Sequence, residues 1–128
     1  GKLMLLKAVD DCCSNGRWSQ PLSDAVLFEL LNNMHTDQGG RLIESWNLPQ
    51  SYAHVARHHH TVTLNDGGVI TRLVRLAEHA CTKLNINLRE DASIVLSASP
   101  EAAYFDLDEI ALAELEVALE DNLSKLAA

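Results

Sequence analysis

A chain of 128 residues and 14.1 kDa can build one modest hydrophobic core, so a single domain over residues 1–128, or the greater part of one, is expected. The formal charge of −8 and a pI near 5.1 speak against a nucleic-acid surface, because phosphate contacts need clustered Lys and Arg, and they disfavour acidic partners as well. Hydrophobic residues at 47% with aromatics at only 5%, Ala and Leu foremost, favour helix over sheet. No run approaches the roughly 18–20 apolar residues of a membrane span, and the start has no signal-peptide pattern, so no membrane association is expected. An adjacent pair and an odd total of cysteines (Cys12, Cys13, Cys81) do not make a disulfide framework. They read as buried thiols in a reducing, cytoplasmic compartment. The opening Gly1-Lys2, without an initiator methionine, reads as a processed or shortened chain.

In chain order, residues 2–14 carry Leu3, Met4, Leu6, Ala8, Val9, Cys12 and Cys13, a broad apolar face that predicts a helix ended at Ser14-Asn15-Gly16, where Gly16 can take the left-handed cap. Trp18 to Pro21 form a connector. Ser23 or Asp24 can cap the next helix, with Val26, Leu27, Leu30 and Leu31 recurring at three and four. Asn32-Asn33 is expected to weaken or bend it. A further helix runs from His35 to Trp46 on Leu42, Ile43 and Trp46. Leu48-Pro49 breaks that run, since the residue before proline is pushed out of helical space. Pro49 suits the first turn of another helix through Tyr52, Val55 and Ala56 towards His58.

Thr61 to Gly68 reads as a polar loop turning at Asn65-Asp66-Gly67-Gly68. Residues 69–84 predict a helix with a wide apolar stripe of Val69, Ile70, Leu73, Leu76, Ala77, Ala80, Cys81 and Leu84. Ala92 to Leu96 could be strand or helical turn; turn is favoured, because a lone strand has nothing to pair with. Ser99-Pro100-Glu101 opens a short helix. Asp108 caps a last one, with Leu112, Leu115, Leu119, Leu123 and Leu126 along one side and Glu114, Glu116, Glu120 and Asp121 mostly on the other. The expected fold is therefore all-α, a compact bundle of about six helices.

The chemistry concentrates in residues 34–60, which hold five of the six histidines. Imidazole is a good ligand for iron, zinc, manganese or nickel, and a site is completed by a carboxylate or another histidine. If the helices before and after Pro49 pack as a hairpin, His35 at the head of one meets the His58-His59 pair at the tail of the next. His58 and His59 differ by about 100° around a helix, so they share one ion only if the helix ends there. His54, four residues before His58 on the same face, leaves a His-x-x-x-His alternative. Glu78 could bring a carboxylate from the 69–84 helix. His60 and His79 read as bystanders. On residues alone, polar or partly buried structural histidines are the commoner outcome than a metal site.

The string His35-x-x-x-Gly39-x-x-Leu42-x-x-x-Trp46-x-Leu48-Pro49, followed by His58-His59 and Leu76-Ala77-Glu78, resembles the HDOD family, signalling relatives of the HD-domain metal-dependent phosphohydrolases. In that family a helix with His and Gly leads to a Trp-x-Leu-Pro turn, a His-His pair and a helix with Ala-Asp. Gly1-Lys2-Leu3 resembles the stretch just after the family's His-Asp dyad, and the segment from Ser99 is similar to its C-terminal helices. The resemblance covers nearly the whole chain but only the later half to two-thirds of a family domain, which implies a partial domain.

That resemblance implies metal-ligand positions at His35, His58, His59 and Glu78. The dyad lies outside the chain, and Glu78 stands where the family has aspartate. Two functional readings follow. One is a non-catalytic bacterial regulatory module partnered by other signalling domains or proteins, with a vestigial or weak metal site. The other is a metal-dependent phosphohydrolase acting on a nucleotide or cyclic dinucleotide in a longer parent protein. No tightly held cofactor is expected beyond a divalent Fe, Mn, Zn or Ni ion. A homodimer is expected to cover the apolar surface that a partial domain exposes.

Overall fold

The computed structural model describes residues 1–61, 68–86 and 91–127, with residues 126 and 127 as backbone only. All regular structure among them is helical: α1 (Lys2–Ser14), α2 (Asp24–Ser45), α3 (Gln50–His58), α4 (Val69–Lys83), a single 3-10 turn (Leu96–Ala98), α5 (Pro100–Tyr104) and α6 (Glu109–Ala127). The chain divides into two compact units, Gly1–Gly67 and Gly68–Ala128. Among the described residues no helix is long and apolar enough to cross a membrane.

The starts of α2, α5 and α6 follow side-chain oxygens. The Ser23 hydroxyl accepts from the Val26 amide at 3.4 Å, Ser99 from Ala102 at 3.1 Å, and the Asp108 carboxylate from Ala111 at 2.8 Å. Each satisfies a first-turn N–H that has no partner inside the helix. Helix ends share another device. Gly16, Asn47, Asn85 and Asp106 all take φ of 53–67° just past a helix. The following amide then reaches back five residues: Arg17 to Cys12, Leu48 to Ile43, Ile86 to Cys81 and Leu107 to Ala102, at 2.8–3.2 Å. Gly, Asn and Asp are the residues that tolerate the left-handed region. Only Gly16 stands out as such a stop in the sequence.

One expectation changes. Asn32-Asn33 does not interrupt the chain, and α2 runs unbroken through His35 for 22 residues. The Asn33 side chain donates to the Glu29 carboxylate one turn back, at 3.1 Å. It is thus bonded on the exposed surface and does not compete for backbone groups. What read as two helices is one rod.

In the first unit α2 packs on both α1 and α3. Its buried residues are few: Leu5 of α1, Leu31, His35 and Gly40 of α2, and Ala53 of α3. Burying a leucine of this kind stabilises by about 1.5–3 kcal/mol, so an imidazole occupies a sizeable share of a small interior. In the second unit Leu76 and Ala80 of α4, Leu96 of the 3-10 turn, Ala102 of α5 and Leu112 of α6 form one apolar cluster. Ile94, Phe105, Leu107 and Leu119 close over it. The leucine side of α6 thus does what its spacing predicts, at Leu112 and Leu119. The segment 92–98 is turn and 3-10 helix, as favoured over strand. Most of the predicted loop at Asn65-Asp66-Gly67, residues 87–90 and the Leu126 side chain lie outside the described residues. Cys12, Cys13 and Cys81 are free thiols, each half-buried.

Candidate metal centre

Positions 39 and 40 of α2 are glycine, and α3 comes close there. A Cβ on Gly39 would lie 3.6 Å from that of Ala56, while one on Gly40 would fall 2.7 Å from the Arg57 side chain, inside contact distance. Gly40 therefore leaves room for the Arg57 chain to lie across α2. Its guanidinium makes a two-pronged bond with Glu44, Nη1 to Oε1 and Nη2 to Oε2, both at 2.7 Å. The Gln50 amide, at the opposite end of α3, donates to the same Glu44 carboxylate at 3.2 Å. Charge-assisted forks of this kind fix geometry as well as distance. They hold the Glu44 carboxyl down at about 2, chiefly through the Arg57 hydrogen bonds and then that of Gln50.

With α3 held in this register, its last turn lies beside His35. The helix ends at His58, and His59 caps it. His59 keeps right-handed helical backbone angles, φ −63° and ψ −19°, and so stands one helical step round from His58; its imidazole and that of His60 meet His35 of α2. His35 Nε2 lies 2.9 Å from His60 Nε2 and 3.4 Å from His59 Nε2. The three rings meet edge-on or tilted, with centroids 4.1–5.4 Å apart. The nitrogens they offer lie within 4.8 Å of one another.

The proton inventory of this cluster is informative. His35 Nδ1 faces the carbonyl oxygens of Leu31 at 2.7 Å and Asn32 at 3.0 Å. His59 Nδ1 faces those of Ala56 at 2.9 Å and Val55 at 3.3 Å. A carbonyl only accepts, so each Nδ1 carries the proton and donates it. In the neutral rings both Nε2 atoms are then lone pairs, and they point at each other across 3.4 Å. Two acceptors cannot bond one another: His35 Nε2 can accept from His60 Nε2–H at 2.9 Å, or a cation can lie among the three rings. Protonating His35 is disfavoured, because burial lowers its pKa below 6.5 and the charges of Lys2 and His59 add to this, against the opposing pull of the Leu31 and Asn32 carbonyls. A metal ion meets the same need without a proton.

The two distances from His35 Nε2 also suit a shared ion. Two nitrogens bound at about 2.0–2.1 Å to a common metal lie roughly 3.3–3.4 Å apart when tetrahedral and about 2.9 Å apart at a right angle. The carbonyl bonds at Nδ1 are the usual outer support of a ligating histidine, fixing tautomer and ring orientation. The cluster His35/His59/His60 could thus hold a metal ion. Among the described residues of the first unit, no carboxylate joins it.

Of the residues singled out from the sequence, His35 and His59 are brought together. His58 is exposed and packs its ring on His54, centroids 4.4 Å apart, as their four-residue spacing suggests. Glu78 lies on α4, in the second unit. His60, read as a bystander, supplies the third imidazole. A signal for it exists: Thr61, Val62 and Thr63 are poor helix formers, so the helix stops one or two residues before them and His59-His60 leave it as a pair. No protein-family model, curated protein or solved structure matches this chain.

Proposed function

We propose that this chain is a non-catalytic regulatory module of the HDOD type whose first unit binds one divalent transition-metal ion through His35, His59 and His60. The observation that carries the reading is the convergence of three imidazole nitrogens within 4.8 Å of one another, with the Nδ1 protons of His35 and His59 committed to backbone carbonyls so that their Nε2 lone pairs are left for the cluster. All-imidazole donors select zinc, iron or nickel over magnesium or calcium, which want oxygen; manganese, more oxygen-loving, ranks last of the four expected. A phosphohydrolase of the HD type needs ions held close together by oxygen bridges, and three neutral imidazoles supply no bridge. A bound ion here would instead tie the end of α3 to the middle of α2. That makes the metal a structural or sensed ligand, with other signalling domains, or a second copy of the chain, as partners.

A second reading has one observation in its favour. Three protein ligands with an exposed member leave a coordination position open to water, as in catalytic zinc sites, and His60 is exposed. One experiment separates the two. The full chain is loaded with Zn2+, Mn2+, Fe2+ or Ni2+, its metal content measured, and hydrolysis of a phosphodiester followed for the wild type and His35→Ala. One ion per chain, lost in His35→Ala, with no hydrolysis is the expected result. Absence of binding, or of any effect of His35→Ala on it, overturns the metal reading. Hydrolysis that disappears in His35→Ala establishes the enzyme instead.

A further inference from the structure

Resting on the metal reading, a second group of residues acquires a role. We infer that Arg57 is a positioning residue whose fork to Glu44 sets the register of α3 on α2 and so brings His59 and His60 onto His35. Four observations converge on it. Arg57 lies two and three residues before the two imidazoles it positions. Its guanidinium meets both Glu44 oxygens at 2.7 Å, an arrangement that permits little sliding between the helices. Glu44 also takes the Gln50 amide, so one carboxylate of α2 anchors both ends of α3. Finally, Gly40 keeps clear the space that the Arg57 chain crosses, since any Cβ there would press on it at 2.7 Å. Asp37, 3.9 Å from Arg57 Nε and paired at 2.9 Å with Arg41, adds a looser negative contact on the same face.

An exposed ion pair is worth little to stability, and the fork lies at the surface. A role in stability alone therefore predicts small and general effects. A role in positioning predicts effects concentrated at the imidazoles. Lysine at position 57 keeps the charge but cannot form the fork, which separates geometry from charge. Gly40→Ala reaches the same fork from the opposite helix.

The test compares wild type, Arg57→Lys, Glu44→Gln and Gly40→Ala as full-length chains. Zn2+ affinity is measured by competition with a chromophoric chelator, the visible spectrum of bound Co2+ reports ligand geometry, and helix content is followed by circular dichroism. In metal-free protein, the rate at which an acylating reagent modifies His35 is read by mass spectrometry. The expected result is a loss of about 10-fold or more in Zn2+ affinity, the scale seen for outer supports of metal ligands. An altered Co2+ spectrum and faster His35 modification accompany it, with wild-type helix content. Variants that keep wild-type affinity, spectrum and His35 protection overturn the inference, as does Arg57→Lys alone behaving like wild type. If the wild type binds no metal, the metal reading falls and the metal-free modification rates still decide about Arg57: faster supports positioning, unchanged removes it.

Discussion

Arg75→Met is expected to be among the most damaging single substitutions in the second unit, although Arg75 is no part of its apolar cluster. Arg75 Nε, on α4, lies 2.7 Å from the Oε1 of Glu101, which sits in the first turn of α5 and is fully buried, with Arg75 itself 14% exposed. No aligned hydrogen bond among the described residues reaches either Glu101 oxygen. Among the described residues the other basic side chain within 4 Å of it is His79, whose Nδ1 stands 4.0 Å from Oε2, beyond bonding distance. Arg75 is thus the main offset to a charge removed from water. Taking it away leaves that charge uncompensated, at a cost of about 3–5 kcal/mol, a large part of the 5–15 kcal/mol that holds a typical domain together. Removing both charges should not hurt: Arg75→Met with Glu101→Leu is expected to return to within about 1 kcal/mol of wild type, or above it. The assay is urea unfolding of the four members of the cycle by circular dichroism, with hydrogen exchange in α4 and α5 locating the loss. A midpoint for Arg75→Met equal to wild type, or a double variant no better than the single, would refute the argument.

Four other expectations follow from the same geometry. Zn2+ at a hundred times its Kd should stabilise the first unit by about 2.7 kcal/mol, a rise in Tm on the order of 10 °C or more for a unit of this size; fluorescence of Trp18 and Trp46, both in that unit, reports it. Glu44 titrates at about 2 instead of 4.5. Its folded value lies below its unfolded one, so the stabilisation is present above pH 4.5 and is lost as pH falls from there through 2; carboxyl NMR should show this titration in wild type and a return towards 4.5 in Arg57→Lys. Leu96→Ala, at a side chain 2% exposed, should cost the second unit about 2–5 kcal/mol by denaturant unfolding. Asn47, at φ 54°, should accept glycine without loss, whereas Asn47→Val should cost about 1–2 kcal/mol in a thermal melt.

Much of this architecture is written locally. Ser23, Ser99 and Asp108 start helices because a short oxygen-bearing side chain can reach its own first-turn amides, and Pro49 divides α2 from α3 because its ring excludes the preceding residue from helical space. Those are nearest-neighbour effects, so the all-helical class and nearly every boundary are legible from residue order. The His54–His58 contact is legible for the same reason, being one turn apart on one rod.

The metal centre is legible only in part. That His35 would meet histidines across a hairpin can be read from the proline and the helix lengths. Which of His58, His59 and His60 it meets depends on where α3 ends and how far α3 is shifted along α2. That shift is set by contacts distant in sequence, the Glu44–Arg57 fork over Gly40 and the Gly39–Ala56 approach, and one residue of difference exchanges one imidazole for another. The buried Arg75–Glu101 pair is likewise invisible in the sequence, where both residues pass for surface charges. Propensity and periodicity act within a helix and so can be read along the chain; the pairing of side chains from different helices depends on packing distances of a few tenths of an ångström, which exist only once the helices have met.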